Sequence, residues 1–198
     1  MKITEAWEKK AELLTKAREK KACDEEYSAA INAATKNEYM DIVYKNFSWL
    51  VLVKIIDCWL PASLPNCQKL DCSNTQIASL PELPNCQILD CFNTQIESLP
   101  ELPNCRILYC SSTRIASLPE LPNCQRLNCY STRIASLPEL PNCQILDCSN
   151  TQIESLPELP NCQALYCYNT KIESLPELPN CQELYCHNTP YFNANRHE

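Results

Sequence analysis

From position 67 onward the apolar and polar positions of the chain repeat every nineteen residues. Residues 86–104 read C-Q-I-L-D-C-F-N-T-Q-I-E-S-L-P-E-L-P-N, and units of this form begin at Cys67, Cys86, Cys105, Cys124, Cys143, Cys162 and Cys181 without insertion. Within a unit, Ile88-Leu89-Asp90-Cys91-Phe92 alternates, so a strand here sends Leu89 and Cys91 to one side and Ile88, Asp90 and Phe92 to the other. The leucine column, Leu70 to Leu184, and the second cysteine column, Cys72 to Cys186, are invariant across the seven units. A threonine column follows (Thr75 to Thr189), then an isoleucine column (Ile77 to Ile172) that ends in Tyr191. The return path, Ser98-Leu99-Pro100-Glu101-Leu102-Pro103, carries two prolines; these fix φ, remove two donors and forbid a helix, leaving an extended segment close to polyproline II.

A short fixed period of this kind predicts a solenoid. Each buried apolar side chain returns roughly 1.5–3 kcal/mol, whereas ordering each backbone costs roughly 1–2 kcal/mol. One unit therefore cannot fold alone, and stacking must supply the difference. Successive strands pair in parallel at ~4.8 Å, so the leucine and cysteine columns become interior ladders. The threonine bonds backbone groups in the turn after the strand. The chain holds no glycine, so its turns must use Asn, Ser, Thr and Pro. Of these, the Asn before each first cysteine (Asn85, Asn104 and their equivalents) is the expected left-handed residue.

The columns spell L-x-x-L-x-L-x-x-N-x-L with Cys in the first and third leucine slots and Thr in the asparagine slot, the spacing of a leucine-rich repeat. The Leu-Pro-Glu-Leu-Pro run after L-x-C-x-N-T-x-I resembles the shortest class of that repeat, typical of repeat domains in bacterial type III-secreted effectors. The Pro-Asn-Cys-Gln variant also resembles repeat families multiplied in giant DNA viruses. The resemblance covers about residues 50–192. It implies a repeat solenoid with short parallel strands on one face and extended segments on the other. In some of those effectors the repeats select substrates for a C-terminal ubiquitin ligase. The alternative function is therefore a substrate-recognition part or remnant of such a ligase, expected to lack its catalytic domain.

Ahead of the repeats, residues 1–47 predict an α-helical N-terminal cap. Thr4 caps a helix to about Lys21, Asp24 starts a second through Ala34, and Asn37 caps a third bearing Met40, Val43, Tyr44 and Phe47. The end of a repeat sheet needs such a cover. Residues 48–66 read as a degenerate first repeat, with Leu60-Pro61 and Leu64-Pro65 echoing the later pairs; a helix there is the alternative, disfavoured by Val51, Val53, Ile55 and Ile56. Residues 67–192 hold the seven units. Tyr191 and Phe192 are expected to cover the last rung, and residues 193–198 to fray.

Charge alters the picture of partners. Residues 1–60 carry ten basic and ten acidic side chains, and residues 61–198 carry seven and fourteen, which accounts for the net charge of −7. An acidic repeat surface argues against nucleic acid and anionic membrane. Residues 1–10 are charged and lack the apolar core of a signal peptide, and the run at Trp49–Ile56 is too short to cross a bilayer. A reducing cytoplasm, including that of a host cell, is the expected compartment. Of sixteen cysteines, fourteen lie in two core columns, where reduced thiols behave as small hydrophobes. Disulfides between rungs, a redox role or a metal site are the lesser readings; C-x4-C departs from zinc spacings.

Function is expected on the variable columns that face outward from the strands. Rings gather there, and Tyr and Phe are typical interface anchors. The candidate contact set for a protein partner is Phe92, Tyr109, Arg126, Tyr130, Tyr166, Tyr168, Tyr185 and His187, with Ile88, Ile107 and Ile145 as exposed apolar neighbours. Sheet propensity alone would also place aromatic and β-branched residues there. A glutamate row, Glu82 to Glu177, reads as a solvated edge, and less readily as a cation or basic-partner site. No catalytic grouping, cofactor motif or metal-ligand set is visible, and the absence of glycine excludes phosphate-cradling loops. The expectation is a monomeric, non-enzymatic interaction module.

Overall fold

In the computed structural model, residues 64, 65 and 67–195 are described. The proposed helical cap, nearly all of the first repeat and residues 196–198 lie outside them. Seven three-residue strands follow one another: β1 (Lys69–Asp71), β2 (Ile88–Asp90), β3 (Ile107–Tyr109), β4 (Arg126–Asn128), β5 (Ile145–Asp147), β6 (Ala164–Tyr166) and β7 (Glu183–Tyr185). They form one parallel sheet in sequential order. Each residue pairs with the residue nineteen positions on, as in Leu70↔Leu89 and Leu89↔Leu108. The solenoid expected from the period is thus the fold, and every sequence column becomes a straight stack of side chains.

Inside lie the predicted ladders. Leu70 through Leu165, Cys72 through Cys167, Ile96 through Ile172 and Leu83 through Leu159 are closed to solvent, joined by the first cysteine column from Cys86 to Cys162. All fourteen cysteines of the repeats are free thiols. Every first-column thiol donates to the carbonyl two residues on, from Cys67 to Lys69 through Cys181 to Glu183, at 3.2–3.4 Å. A leucine in that slot could make no such bond.

Each threonine hydroxyl donates to the carbonyl of the second cysteine three residues earlier, at 2.6–2.8 Å, as anticipated. The left-handed residue is a different one from that expected. Positive φ falls on Asn74, Asn93, Ser112, Ser131, Asn150, Asn169 and Asn188, immediately before the threonine. The Asn before each first cysteine serves the stack in another way. Its side-chain amide donates to the Pro carbonyl of the preceding unit, as from Asn85 to Pro65 and Asn104 to Pro84, both 2.8 Å. That bond helps fasten the return paths to one another. Apart from the Leu64 amide on Glu82, no backbone hydrogen bond joins neighbouring Leu-Pro-Glu-Leu-Pro segments among the described residues, because the prolines carry no N–H.

The C-terminal expectation needs correcting. Of the residues expected to fray, Asn193 and Ala194 instead close a short helix, α1 (Pro190–Ala194), with Pro in its first turn and Thr189 as N-cap accepting from the Phe192 amide. This is the Ser/Thr-Pro entry that favours a helix start. Tyr191 and Phe192 pack against the core as expected, yet Leu184 of β7 stays 43% exposed.

Two predictions follow from this core. Burial holds the thiols protonated: the pKa of Cys105 and Cys162 is pushed up to about 11, and that of Cys72, Cys143 and Cys167 to about 12, from an ordinary 9.0. A raised folded-state pKa means the contribution is complete below pH 9 and is lost as pH rises from there toward the folded values. Urea unfolding under a phosphine reductant should therefore show stability flat to about pH 8. Beyond pH 9 it should fall by up to about 1.4 kcal/mol per pH unit for each thiol; a flat profile to pH 10 would contradict buried, protonated ladders. Second, Asn93, Asn169 and Asn188 each donate to the Asn one rung earlier at 2.8–3.0 Å, while Ser112 and Ser131 interrupt the column. Ser112→Asn and Ser131→Asn should each stabilise by roughly 0.5–1 kcal/mol, read as a higher urea midpoint.

Candidate functional site

The strand face carries three parallel columns, and in-register pairing fixes their spacing at ~4.8 Å. The side chains before the leucine run Lys69, Ile88, Ile107, Arg126, Ile145, Ala164, Glu183. Ile88, Ile107 and Ile145 prove half-buried, so the exposed apolar row expected there is largely covered by its own neighbours; Ala164 is buried outright. The column between leucine and cysteine runs Asp71, Asp90, Tyr109, Asn128, Asp147, Tyr166, Tyr185. Where it holds Asp or Asn, the side chain accepts the amide two residues on, as Asp90 does from Phe92, Asn128 from Tyr130 and Asp147 from Ser149, each at 3.1 Å. That bond fixes the direction of the residue in the third column. Half-burial pushes the Asp90 carboxyl up, opposed by the Phe92 amide, with neighbouring Asp71 adding to the rise.

The third column alternates small and large: Ser73, Phe92, Ser111, Tyr130, Ser149, Tyr168, then His187. Tyr130 and Tyr168, two rungs apart, approach to 6.5 Å between ring centroids. The serine rung between them, Ser149, is fully buried and its hydroxyl has no hydrogen-bond partner. Tyr168 stacks on His187 at 4.7 Å, and Tyr166 stacks on Tyr185 at 5.0 Å, both pairs within 6° of parallel. Five of the eight candidate residues thus fall into two ring stacks on adjacent columns, Tyr130–Tyr168–His187 and Tyr166–Tyr185. Phe92 stands apart toward the other end, 39% exposed, while Tyr185 is 50% exposed. Tyr109 and Arg126 form a separate pair, the guanidinium donating to the phenol oxygen at 3.3 Å.

Between Tyr109 and Tyr166 the middle column drops to Asn128 and Asp147. The result is a notch of about 290 Å³ lined by Tyr109, Arg126, Leu127, Asn128, Ile145, Asp147 and Tyr166. The Tyr166 hydroxyl donates to Glu183 at 2.6 Å, and that carboxylate is the main reason its pKa is pushed up to about 12. A larger, polar groove of about 510 Å³ runs along the opposite strand edge over Gln68, Asn85, Gln87, Asn104, Arg106 and Asn123. Outward columns alone did not reveal it; the recurring Pro-Asn-Cys run, followed by Gln except at Arg106, was its signal. Nor were Asn128, Asp147 and Ser149 singled out, being small residues defined only by the rings around them.

Other candidates resolve simply. Glu82 through Glu177 stand exposed as a row. Among the described residues no group of three or more ligating side chains is placed to hold a metal, and no helix is long and apolar enough to cross a membrane. Most of the buried thiols are held high chiefly by burial, whereas the neighbouring Cys86 thiol draws the partly exposed Cys67 down.

The orphaned Ser149 hydroxyl and the bonded Thr151 hydroxyl, 2.6 Å from the Cys148 carbonyl, make a paired prediction. Thr151→Val should cost about 1–3 kcal/mol by stranding that carbonyl, whereas Ser149→Ala should cost nothing or stabilise. Equal losses in urea melts would mean that the Tyr130–Tyr168 cover is misplaced.

Comparison with known proteins agrees with this geometry. The family model for leucine-rich repeats (two copies) matches residues 65–104. No curated protein matches the sequence. Among solved structures, YopM from Yersinia enterocolitica WA-314 is similar at 34% identity and TM-score 0.62, over 66% of this chain and 31% of that one. YopM from Yersinia pestis, described as a leucine-rich effector protein, shares the fold at 23% identity and TM-score 0.61, over 96% of this chain and 61% of that one. The chain thus spans less than two thirds of either protein. Its described residues form a leucine-rich repeat solenoid of the short Leu-Pro-x-Leu-Pro class, similar to the repeats of the YopM effectors.

Proposed function

We propose that the chain is a non-enzymatic protein-interaction module that binds one protein partner through the outward face of its repeat sheet. Phe92, Tyr109, Arg126, Tyr130, Tyr166, Tyr168, Tyr185 and His187 form the contact set. The observation that carries this reading is the pair of ring stacks on the outward face, Tyr130–Tyr168–His187 and Tyr166–Tyr185, in each of which one ring pair lies nearly parallel. Rings held by one another and by a hydrogen-bonded sheet offer large contact area with little left to order on binding. The acidic surface makes a protein a better partner than nucleic acid or an anionic membrane. The module acts as a monomer in a reducing cytoplasm, which fits fourteen free thiols on its rungs.

The test is affinity capture from cytosolic extract with the purified chain and a Tyr130→Ala/Tyr166→Ala/Tyr168→Ala variant. Retained proteins should be lost from the variant while its circular dichroism spectrum is unchanged. A Glu101→Gln/Glu120→Gln/Glu139→Gln variant, altered on the exposed glutamate row, should retain them. Undiminished capture by the tyrosine variant would overturn the assignment of the face.

A further inference from the structure

The notch over Asn128 and Asp147 has a chemistry of its own. Its walls are two phenol rings, Tyr109 and Tyr166, three rungs apart, or about 14 Å between backbones at ~4.8 Å per rung. Its floor holds a half-buried carboxylate, Asp147, whose Oδ1 accepts from the Ser149 amide. No Lys or Arg among the described residues forms an ion pair with it; the two ion pairs seen there are Arg114–Glu97 and Lys171–Glu154. A carboxylate partly withdrawn from water and held in no ion pair favours an incoming cation, and Arg126, which also lines the notch, is engaged by the Tyr109 hydroxyl.

The rings favour the same ligand. One face of Tyr166 is covered by Tyr185, and the ring also lines the notch. Its hydroxyl donates to the Glu183 carboxylate, which enriches the ring in electron density and strengthens its attraction for a cation. Across the notch, Tyr109 already accepts a hydrogen bond from the Arg126 guanidinium, so a guanidinium–phenol contact is native to this face. The sheet face carries four carboxylates, Asp71, Asp90, Asp147 and Glu183, against two cations, Lys69 and Arg126. A planar, delocalised cation can stack on a ring and present a fork of N–H donors to a carboxylate together; a compact ammonium offers neither the planar stack nor the fork.

We infer that the notch between Tyr109 and Tyr166 receives an arginine side chain of the protein partner, stacked on tyrosine and hydrogen-bonded to Asp147. This rests on the proposed use of the sheet face and specifies its partner as one presenting an arginine on an exposed segment. Asp147→Asn is the decisive variant. Asn128 already occupies the equivalent place one rung earlier and makes the same bond to the amide two residues on, so the substitution leaves the local turn intact and removes only the charge.

The probe is N-acetyl-arginine amide, titrated into the isotopically labelled chain at low salt and followed by the backbone amide signals of Asn128, Asp147 and Tyr166. Saturable shifts with low-millimolar half-saturation are expected, about −4 kcal/mol or weaker for one side chain. N-acetyl-citrulline amide, the neutral isostere, and N-acetyl-lysine amide should each bind at least tenfold more weakly. Asp147→Asn should weaken the arginine probe at least tenfold, and Asp71→Asn should not. Equal response to arginine and citrulline, or an unaltered titration in Asp147→Asn, would overturn the inference; equal response to lysine would overturn the guanidinium. If capture depends on the tyrosines yet the arginine probe leaves these amides unmoved, the face reading stands and this one falls. If capture survives loss of the tyrosines, the face reading itself fails, whatever the probe does.

Discussion

Every feature of the molecule depends on hydrogen bonding between units that are held nineteen residues apart. Because strand residues pair with their exact counterparts in the next unit, each inward side chain lies beside the same type of side chain above and below. An inward slot must therefore tolerate self-stacking at the rung spacing. Leucine and isoleucine do so by interlocking, and cysteine does so by being small. The pairing does not stop at the strands: Gln87 and Ile88 both donate to the Gln68 carbonyl, and Gln95 donates to Ile77 across the turn. Two sides of each coil are fastened this way. The third, bearing the prolines, is held by buried leucines and by the asparagine amides that reach back to the preceding Pro carbonyl.

The same constraint shows what could be read in advance. Inward and outward assignments of Leu89, Cys91, Ile88 and Asp90 needed only the period of two within a period of nineteen, and they hold. The turn residue was harder because each unit offers asparagine in two columns. Composition could not say which one turns left-handed. Asn85 spends its side chain on Pro65, and the residue before the threonine takes positive φ instead. Helix α1 was legible in Thr189-Pro190 as a cap followed by an N-terminal proline, but the loss of the isoleucine column drew attention to the end of the repeat rather than to the start of something new.

Side chains on the outer face were the least legible, for a physical reason. Their positions depend on rungs one and two removed, which are distant in sequence. Ser149 is buried because Tyr130 and Tyr168 are large and lie on either side of it. Ile88, Ile107 and Ile145 are only partly exposed. Asp147 is a floor only because Tyr109 and Tyr166 are walls. A roll of exposed residues could name the rings but not the spaces between them.

Those spaces distinguish one repeat from another once the interior has become uniform. The inward columns cannot vary without breaking a ladder seven units long, so individuality is confined to outward columns, among them the three of the strand face. There it takes the form of steps: Ser beside Tyr, Asn and Asp between two Tyr. A large residue on every rung would give a flat wall of stacked rings, and a small one on every rung a bare sheet. Alternation produces relief deep enough to seat a side chain, while the Asp and Asn bonds to the following turn keep the relief fixed. A rigid stepped surface can discriminate by shape and charge together, and it does so with backbone hydrogen bonds already made, so that binding need order little beyond the partner.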